Sequence, residues 1–427
     1  MQTKRNTVLL VSTLAAAIAL PSVTHAALVE DAEGSLSLRN FYMNRDYRDS
    51  GLFDAPKHKG KTQAKAEDWG QGFMLRLKSG YTEGTVGVGL DALGLVGVKL
   101  DSGAGTGGTG TLVRSKRTGR SADSHGFVGF TAKAKVSETV LTVGTHEPLL
   151  PIAYRNDTRM LPQTFQGGQV LSKDIENLTL TAGQFQKVRL RDSTNYENMS
   201  MAADGAIGGV SSNKFNYSGA TYEFIPGLAG TYYFAELKDN YRQHHANLQF
   251  LTDLTSDLKF KSDLRYFKST DQGKTNVDNR LASAMFSLGY AGHWLGLGYQ
   301  DASGKTGTPY LAGGTDPWTM NTLTYQPFLR AKEDSWQVRY DYNFAQIGVP
   351  GLNLMARYAS GDNFKIKDRA GTMKSAKEWE RDIDISYTIQ SGPLKDLGFM
   401  VRNVMYRGSH TTDVDENRVI VNYTFKF

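Results

Sequence analysis

Several stretches carry the residue types of a chemical site, and each fails on spacing. Gly103-Ala-Gly-Thr-Gly-Gly108 has the glycines of a dinucleotide-binding turn. That turn works only when a helix follows and points its N-terminus at the pyrophosphate. Residues 109–120 show no helical periodicity, so the stretch reads as an external loop. Gly273-Lys-Thr275 and Gly304-Lys-Thr306 end like phosphate loops, but Lys268 and Tyr299 stand where the leading glycine belongs. Asp413-Val-Asp-Glu-Asn417 opens like a calcium loop and then places Arg418 where the turn needs glycine. His244 and His245 are adjacent, so on a strand they face opposite sides and cannot share a metal. The chain has no cysteine, which excludes disulfides, thiolate metal sites and thiol nucleophiles. No histidine stands at a recognisable spacing from a nucleophile; a hydrolase built on an outer-membrane barrel is the alternative from another class. The expectation is a protein that is not an enzyme and uses no cofactor and no metal.

What remains is charge at every second position. Lys259, Lys261, Asp263 and Arg265 interleave with Leu258, Phe260, Leu264 and Tyr266. Gln337, Arg339 and Asp341 interleave with Trp336, Val338, Tyr340 and Tyr342. At the end of the chain Val419, Val421, Tyr423, Phe425 and Phe427 share one face, and Arg418, Asn422, Thr424 and Lys426 the other. Period-2 alternation of this kind marks strands with one apolar and one polar face.

The elements that position these residues follow the same pattern almost from end to end. Eighteen strand-like segments begin near Ser35, Trp69, Thr85, Gly126, Thr139, Gly168, Leu178, Phe215, Leu228, Gln243, Leu258, Leu281, His293, Ser335, Leu352, Trp379, Leu397 and Glu416. Their connections alternate long and short: 45–68, 101–125, 146–167 and 190–214 are long, with tight turns between them, and 301–334 and 361–378 are the longest later on. Long loops on one rim and short turns on the other define a transmembrane β-barrel, wide enough at eighteen strands for an aqueous channel. The predicted fold is therefore all-β, an 18-stranded antiparallel transmembrane barrel with short periplasmic turns and long external loops.

Composition agrees. The 427 residues include 45 Gly, 21 Tyr and 20 Phe but only 11 Pro. No stretch beyond residue 26 approaches the ~18 apolar residues of a spanning helix. Net charge is +6, yet no Lys/Arg block has the length that binds polyanions, so nucleic acid is not an expected partner. Lys4 and Arg5, the apolar run from Val8 to Leu20 and the small-x-small Thr24-His25-Ala26 read as a cleaved export signal over 1–26, leaving a barrel domain over 27–427.

Basic side chains on a low-dielectric wall focus the field and concentrate anions. Arginine adds a planar fork that meets a carboxylate bidentately. Asp263, Asp341, Asp382 and Asp384 also face inward by alternation, so the lumen is not uniformly positive.

Leu38-Arg-Asn-Phe-Tyr-Met-Asn-Arg-Asp46, Trp69-Gly-Gln-Gly-Phe73, the run from Gly80 to Gly94, Leu161-Pro-Gln-Thr-Phe-Gln-Gly167, Ser335-Trp-Gln-Val-Arg-Tyr-Asp341 and Gly348-Val-Pro-Gly-Leu352 together resemble the OprD-type porins, also called outer membrane carboxylate channels. The resemblance covers essentially the whole chain after residue 26. It implies passive, substrate-preferring uptake of small carboxylates across the outer membrane of a Gram-negative bacterium, past lumen loops, with outer-membrane lipid around the wall and a weak homotrimer. It also implies a substrate-guiding ladder of basic residues. By position Arg45, Lys133, Lys135, Arg402 and Arg418 fall on it, and Arg357 points inward nearby. Loop 146–167 is expected in the lumen, with Tyr154, Arg155 and Arg159 at the constriction and Asp316 on the opposing acidic side. Arg155 and Arg159 could equally pin their own loop to the wall. Lys187-Val-Arg-Leu-Arg-Asp-Ser193 with Asn195-Tyr-Glu-Asn-Met199 is more similar to the subgroup that takes monocyclic aromatic acids such as benzoate than to the basic amino-acid, arginine-type subgroup.

Overall fold

The computed structural model describes residues 25–48, 57–58, 61–103, 105–115, 117–313, 317–368 and 370–427. Eighteen strands form one antiparallel sheet. They are β1 Glu33–Tyr47, β2 Lys65–Lys78, β3 Gly87–Asp101, β4 Ser124–Val136, β5 Thr139–His146, β6 Thr164–Ile175, β7 Leu178–Arg189, β8 Phe215–Ile225 and β9 Leu228–Leu237. The series continues with β10 Tyr241–Asp253, β11 Leu258–Asp271, β12 Asp278–Tyr290, β13 His293–Gly304, β14 Glu333–Asn343, β15 Leu352–Lys367, β16 Met373–Thr388, β17 Gly398–Gly408 and β18 Val414–Lys426. β1 pairs with β2 on one side and, from Ser35↔Lys426 to Tyr47↔Val414, with β18 on the other, so the sheet closes. Closure is what hydrocarbon demands, because a free edge there would leave N–H and C=O groups unpaired. Among the described residues no helix is long and apolar enough to cross a membrane.

The strand starts expected from alternation lie within a few residues of those observed; the widest difference is at β16, expected from Trp379 and found from Met373. The cause is a correction to the connection expected over 361–378. These residues are mostly the paired ends of β15 and β16, joined by a turn over 368–372. Gly361-Asp-Asn363 reads as a turn in sequence. In the fold Asn363 adopts a φ of 63° and the register shifts between Gly361 and Phe364. This bulge adds one residue and turns Phe364 inward, where it is buried.

Connections over 48–64, 102–123, 147–163, 190–214 and 305–332 are long and share one rim; those over 238–240, 272–277, 368–372 and 409–413 on the same rim are short. The alternation of long and short therefore weakens after β8. The start of β1 and the end of β18 meet at the other rim, where Gly34 N–H donates to Phe427 O at 2.7 Å and Phe427 N–H donates back to Gly34 O at 3.0 Å.

The two faces are inverted relative to a water-soluble protein. Leu90, Val128, Phe130, Val143, Leu297 and Val401 lie exposed on the outside, while Gln243, Gln300, Gln337, Glu380, Asp382 and Arg418 are buried inside. Buried apolar contacts lie within the lumen, where loops dock. Met160 and Leu161 of loop 3 (147–163) pack among Phe41, Met43, Met74, Leu93, Leu95 and Leu112. Full burial of such a side chain contributes about 1.5–3 kcal/mol. Met199 of loop 4 (190–214) and Leu311 of loop 7 (305–332) join a second cluster with Phe165, Phe185, Phe215 and Tyr241.

Glycine makes the docking of loop 3 possible. A Cβ on Gly72 would come within 2.9 Å of Met160 Cγ and 3.0 Å of Met160 O. Gly72→Leu is therefore expected to cost about 1–3 kcal/mol through overpacking and to lift loop 3 off the wall. Single-channel conductance should rise while the barrel stays heat-modifiable on gels; unchanged conductance would show that the loop is seated by other contacts.

Candidate functional site

Loops 3 and 7 meet across the lumen. The ring of Tyr154 stacks on that of Trp318, with centroids 4.6 Å apart and planes inclined by 26°. Tyr154 is presented by a two-residue hairpin in which Leu149–Leu150 pairs with Ala153–Tyr154. Trp318 also meets the Arg265 guanidinium, 4.7 Å from the ring centroid, and Arg265 Nη1 donates to Trp318 O at 2.9 Å. Arg265 is held flat by a bidentate pair with Asp263, at 2.9 and 2.6 Å. A loop–loop aromatic contact thus rests on a wall cation that has been fixed in plane.

Loop 7 is fastened from behind by carboxylates. Backbone N–H groups of Tyr325 and Gln326 donate to Glu380 at 2.8 and 2.7 Å, and Thr324 N–H and Oγ1–H donate to Asp382 at 3.2 and 2.7 Å. Glu378 accepts from the Gln326 amide at 2.7 Å and from the Tyr406 hydroxyl at 2.6 Å. Glu378, Glu380 and Asp382 all face inward by the strand period of β16, so one strand supplies a row of acceptors to an otherwise irregular segment.

Positive charge gathers where loop 3 meets β1 and β18. Glu416 is buried and shared by Arg45 at 2.6 Å and Arg418 at 2.5 Å. Thr158 O accepts from Arg159 Nη1 at 2.8 Å and from Arg418 Nη1 at 3.2 Å, and Thr158 Oγ1 accepts from Arg191 Nη1 at 3.2 Å. Arg45, Arg159, Arg191 and Arg418 therefore surround one carboxylate, with Asp192 acting on Arg191 as well. The field is legible in the two loop residues. Burial, then Arg418 and Arg191, pull the pKa of Arg159 well below the usual arginine value. Burial is also the main cause that brings Arg191 down to about 10. Arginine keeps its proton regardless, so the site holds surplus cation that an incoming anion would stabilise.

Most of the residues expected at the site fall into three groups. Arg45, Arg159 and Arg418 come together as described. Arg357 and Arg402 lie on the same wall but paired, with Asp382 at 2.7 Å and Asp384 at 2.5 Å. Lys133 and Lys135 are elsewhere, at the turn rim: Lys133 Nζ donates to Ser79 O at 2.6 Å and pairs with Asp91 at 2.7 Å, and Lys135 pairs with Glu138 at 3.1 Å. Arg155 shares Glu147 with Arg76, at 3.5 and 2.8 Å. Arg155 and Arg159, with its bond to Thr109 O at 2.9 Å, both hold loop 3 in place. Asp316 lies outside the described residues.

Sequence reasoning missed Arg265, Trp318, Glu416, Arg191 and Glu380 as site residues. A signal for some of them exists. Asp263-x-Arg265, Arg339-x-Asp341 and Glu416-x-Arg418 are acid–base pairs two residues apart on the inward face, and each forms an ion pair. No local pattern marks Trp318. Beside the constriction, a recess of about 680 Å³ is lined by Lys261, Arg265, Trp294, Trp318, Arg339 and Arg357. A further one of about 630 Å³ shares Trp294, Arg339 and Arg357 and extends to Arg402.

A closed barrel with a lumen narrowed by its own loops and lined by arginine defines a substrate-selective channel. The chain matches the family described as outer membrane porin, OprD family, over residues 26–427 and belongs to it. It is 38% identical to the porin-like protein GalP of Pseudomonas putida over 423 residues, 97% of each chain. The crystal structure of Pseudomonas aeruginosa OpdK with vanillate is similar at a TM-score of 0.84 and 37% identity, covering 94% of this chain and 100% of that one. A BenF-like porin from Pseudomonas fluorescens Pf-5 gives the same TM-score of 0.84 at 39% identity, again with 94% and 100% covered. The protein is thus a porin of the Gram-negative outer membrane and not an enzyme.

Removing the clamp behind loop 7 tests the construction. Glu380→Ala leaves two amides without their charged acceptor and is expected to lower stability by about 3 kcal/mol, read by unfolding in detergent, and to increase open-channel current noise. Wild-type noise in a folded variant would show that Glu378 and Asp382 hold the loop alone.

Proposed function

We propose that this porin takes up small carboxylates, and monocyclic aromatic acids such as benzoate in particular. The observation that carries the reading is the Tyr154–Trp318 stack set against Arg265, within a lumen whose other side holds surplus guanidinium. An aromatic acid has one apolar ring and one anionic end, and this site offers aromatic faces beside cations. Arg45 and Arg418 with Arg191 attract the carboxylate; Arg357 and Arg402 extend the basic wall, and Lys133 and Lys135 continue it at the turn rim. Lys261 projects into the recess next to Trp294 and Trp318, and no ion-pair or hydrogen-bond partner holds its ammonium group among the described residues. The vanillate named with the similar OpdK structure is an aromatic acid of this kind, and the BenF-like relative has the same fold. Residues 1–26 act as an export leader in this reading, and the barrel spans 27–427.

Planar-bilayer recordings with benzoate and then arginine on the loop side test the proposal. Benzoate is expected to permeate or block selectively. Arg191→Gln with Arg418→Gln leaves Glu416 paired with Arg45 and should cut benzoate flux at least about tenfold, the lower end of electrostatic steering effects. A preference for arginine would reassign the channel to basic amino acids, and flux unaffected by the double substitution would remove the arginine cluster from the mechanism.

A further inference from the structure

The outer wall carries a feature that channel function does not use. Strands β10 to β13 bring three small residues together on the outside. Ala246 lies opposite Tyr266, Tyr266 opposite Ala282, and one row towards the turn rim Leu264 lies opposite Ala284. Where larger side chains would cover the sheet, these alanines leave a largely apolar groove of about 460 Å³, lined also by Leu248, Leu264, Tyr266, Tyr299 and, towards the loop rim, Asp301.

One row towards the loop rim, Lys268 lies directly opposite Arg280, both pointing outward and exposed. Like charges directly opposite on neighbouring strands repel. Among the described residues neither side chain has an ion-pair or hydrogen-bond partner. Elsewhere on the loop rim of these strands the exterior cations do have partners: Arg242 pairs with Glu236 at 2.7 Å and Lys305 with Asp278 at 3.8 Å. Asp301, which lines the groove beside Ala282, stands next to Asp334 in the adjoining strand.

An apolar groove running into the membrane beneath two uncompensated cations at the loop rim matches a lipid with an acyl chain and an anionic headgroup. We propose that this face binds the phosphorylated, multiply acylated glycolipid of the outer leaflet, lipid A, with an acyl chain in the alanine-floored groove and a phosphate bridging Lys268 and Arg280. Phosphate between them converts a repulsive cross-strand pair into two charge-assisted contacts, and below Asp301 the row of Leu248, Leu264, Ala284 and Tyr299 gives an acyl chain an apolar lining. The loop rim faces the external leaflet, which is where this lipid resides.

The test is native mass spectrometry of the refolded full chain in detergent, titrated with bisphosphoryl lipid A, with the same lipid after removal of its phosphates, and with inorganic phosphate as competitor. Retention of bisphosphoryl lipid A, weakened about 30-fold by Lys268→Gln with Arg280→Gln, is expected for two lost cationic contacts at an anionic headgroup. Ala284→Trp, which fills the groove without touching the cations, should also weaken retention. Heat-modifiability and single-channel conductance of both variants report that the barrel is intact, since none of these residues faces the lumen. Equal retention of the dephosphorylated lipid, or retention unchanged by both variants, overturns the proposal. Displacement of the lipid by millimolar inorganic phosphate would identify a simple anion site and overturn the lipid assignment.

Discussion

A backbone that must satisfy all its hydrogen bonds within itself is the constraint from which the rest of this structure follows. Once β1 pairs with β18, the strand period divides side chains into an outer set facing lipid and an inner set facing water. The inner set then has no sheet or helix to pack on. Its partners are the loops, which return into the lumen and supply the apolar and polar surface that a second layer would supply in a sandwich. Met160 and Leu161 against β1 to β3, and loop 7 donors against β16, its backbone amides on Glu380 and Asp382 and the Gln326 side chain on Glu378, are two solutions to the same need. One uses a pocket opened by glycine and the other a row of carboxylates.

Charge inside the barrel is distributed with a similar economy. Most inward arginines are neutralised by an acid on the same strand or the next, as in Arg265 with Asp263, Arg357 with Asp382 and Arg402 with Asp384. Such pairs give the wall local dipoles and rigidity and little net field. The cluster around Glu416 differs, because Arg45, Arg159, Arg191 and Arg418 exceed the acids beside them. Surplus positive charge therefore concentrates near loop 3, while Arg357 and Arg402 on nearby strands are each matched by an acid. Excess cation beside matched pairs suits passage, since a solute must be released as well as admitted.

The sequence makes the barrel legible because lipid and water impose opposite demands on neighbouring residues, and that opposition recurs every second position for hundreds of residues. It leaves the constriction mostly hidden. Arg418 could be assigned by its position on the last strand, but its partner atoms on Thr158 lie 260 residues away. Trp318 sits in a segment without periodicity and acquires its place from Tyr154 and Arg265, contacts with no shared local pattern. The apparent loop over 361–378 misled for a physical reason too: a single left-handed asparagine restores the strand after a break that looks terminal in sequence.

The joint between Tyr154 and Trp318 differs in kind from the arginine cluster. Stacked rings gain about 0.5–1.5 kcal/mol beyond their buried area, through forces that dissolved ions hardly touch. The field that the arginine charges project into the water of the lumen, by contrast, decays over roughly 8 Å at physiological ionic strength and faster in brine. Long-range electrostatic attraction and aperture width therefore answer to different properties of the surroundings. A cell moving from fresh to salty water would lose part of its grip on distant solutes while the sieve kept its mesh.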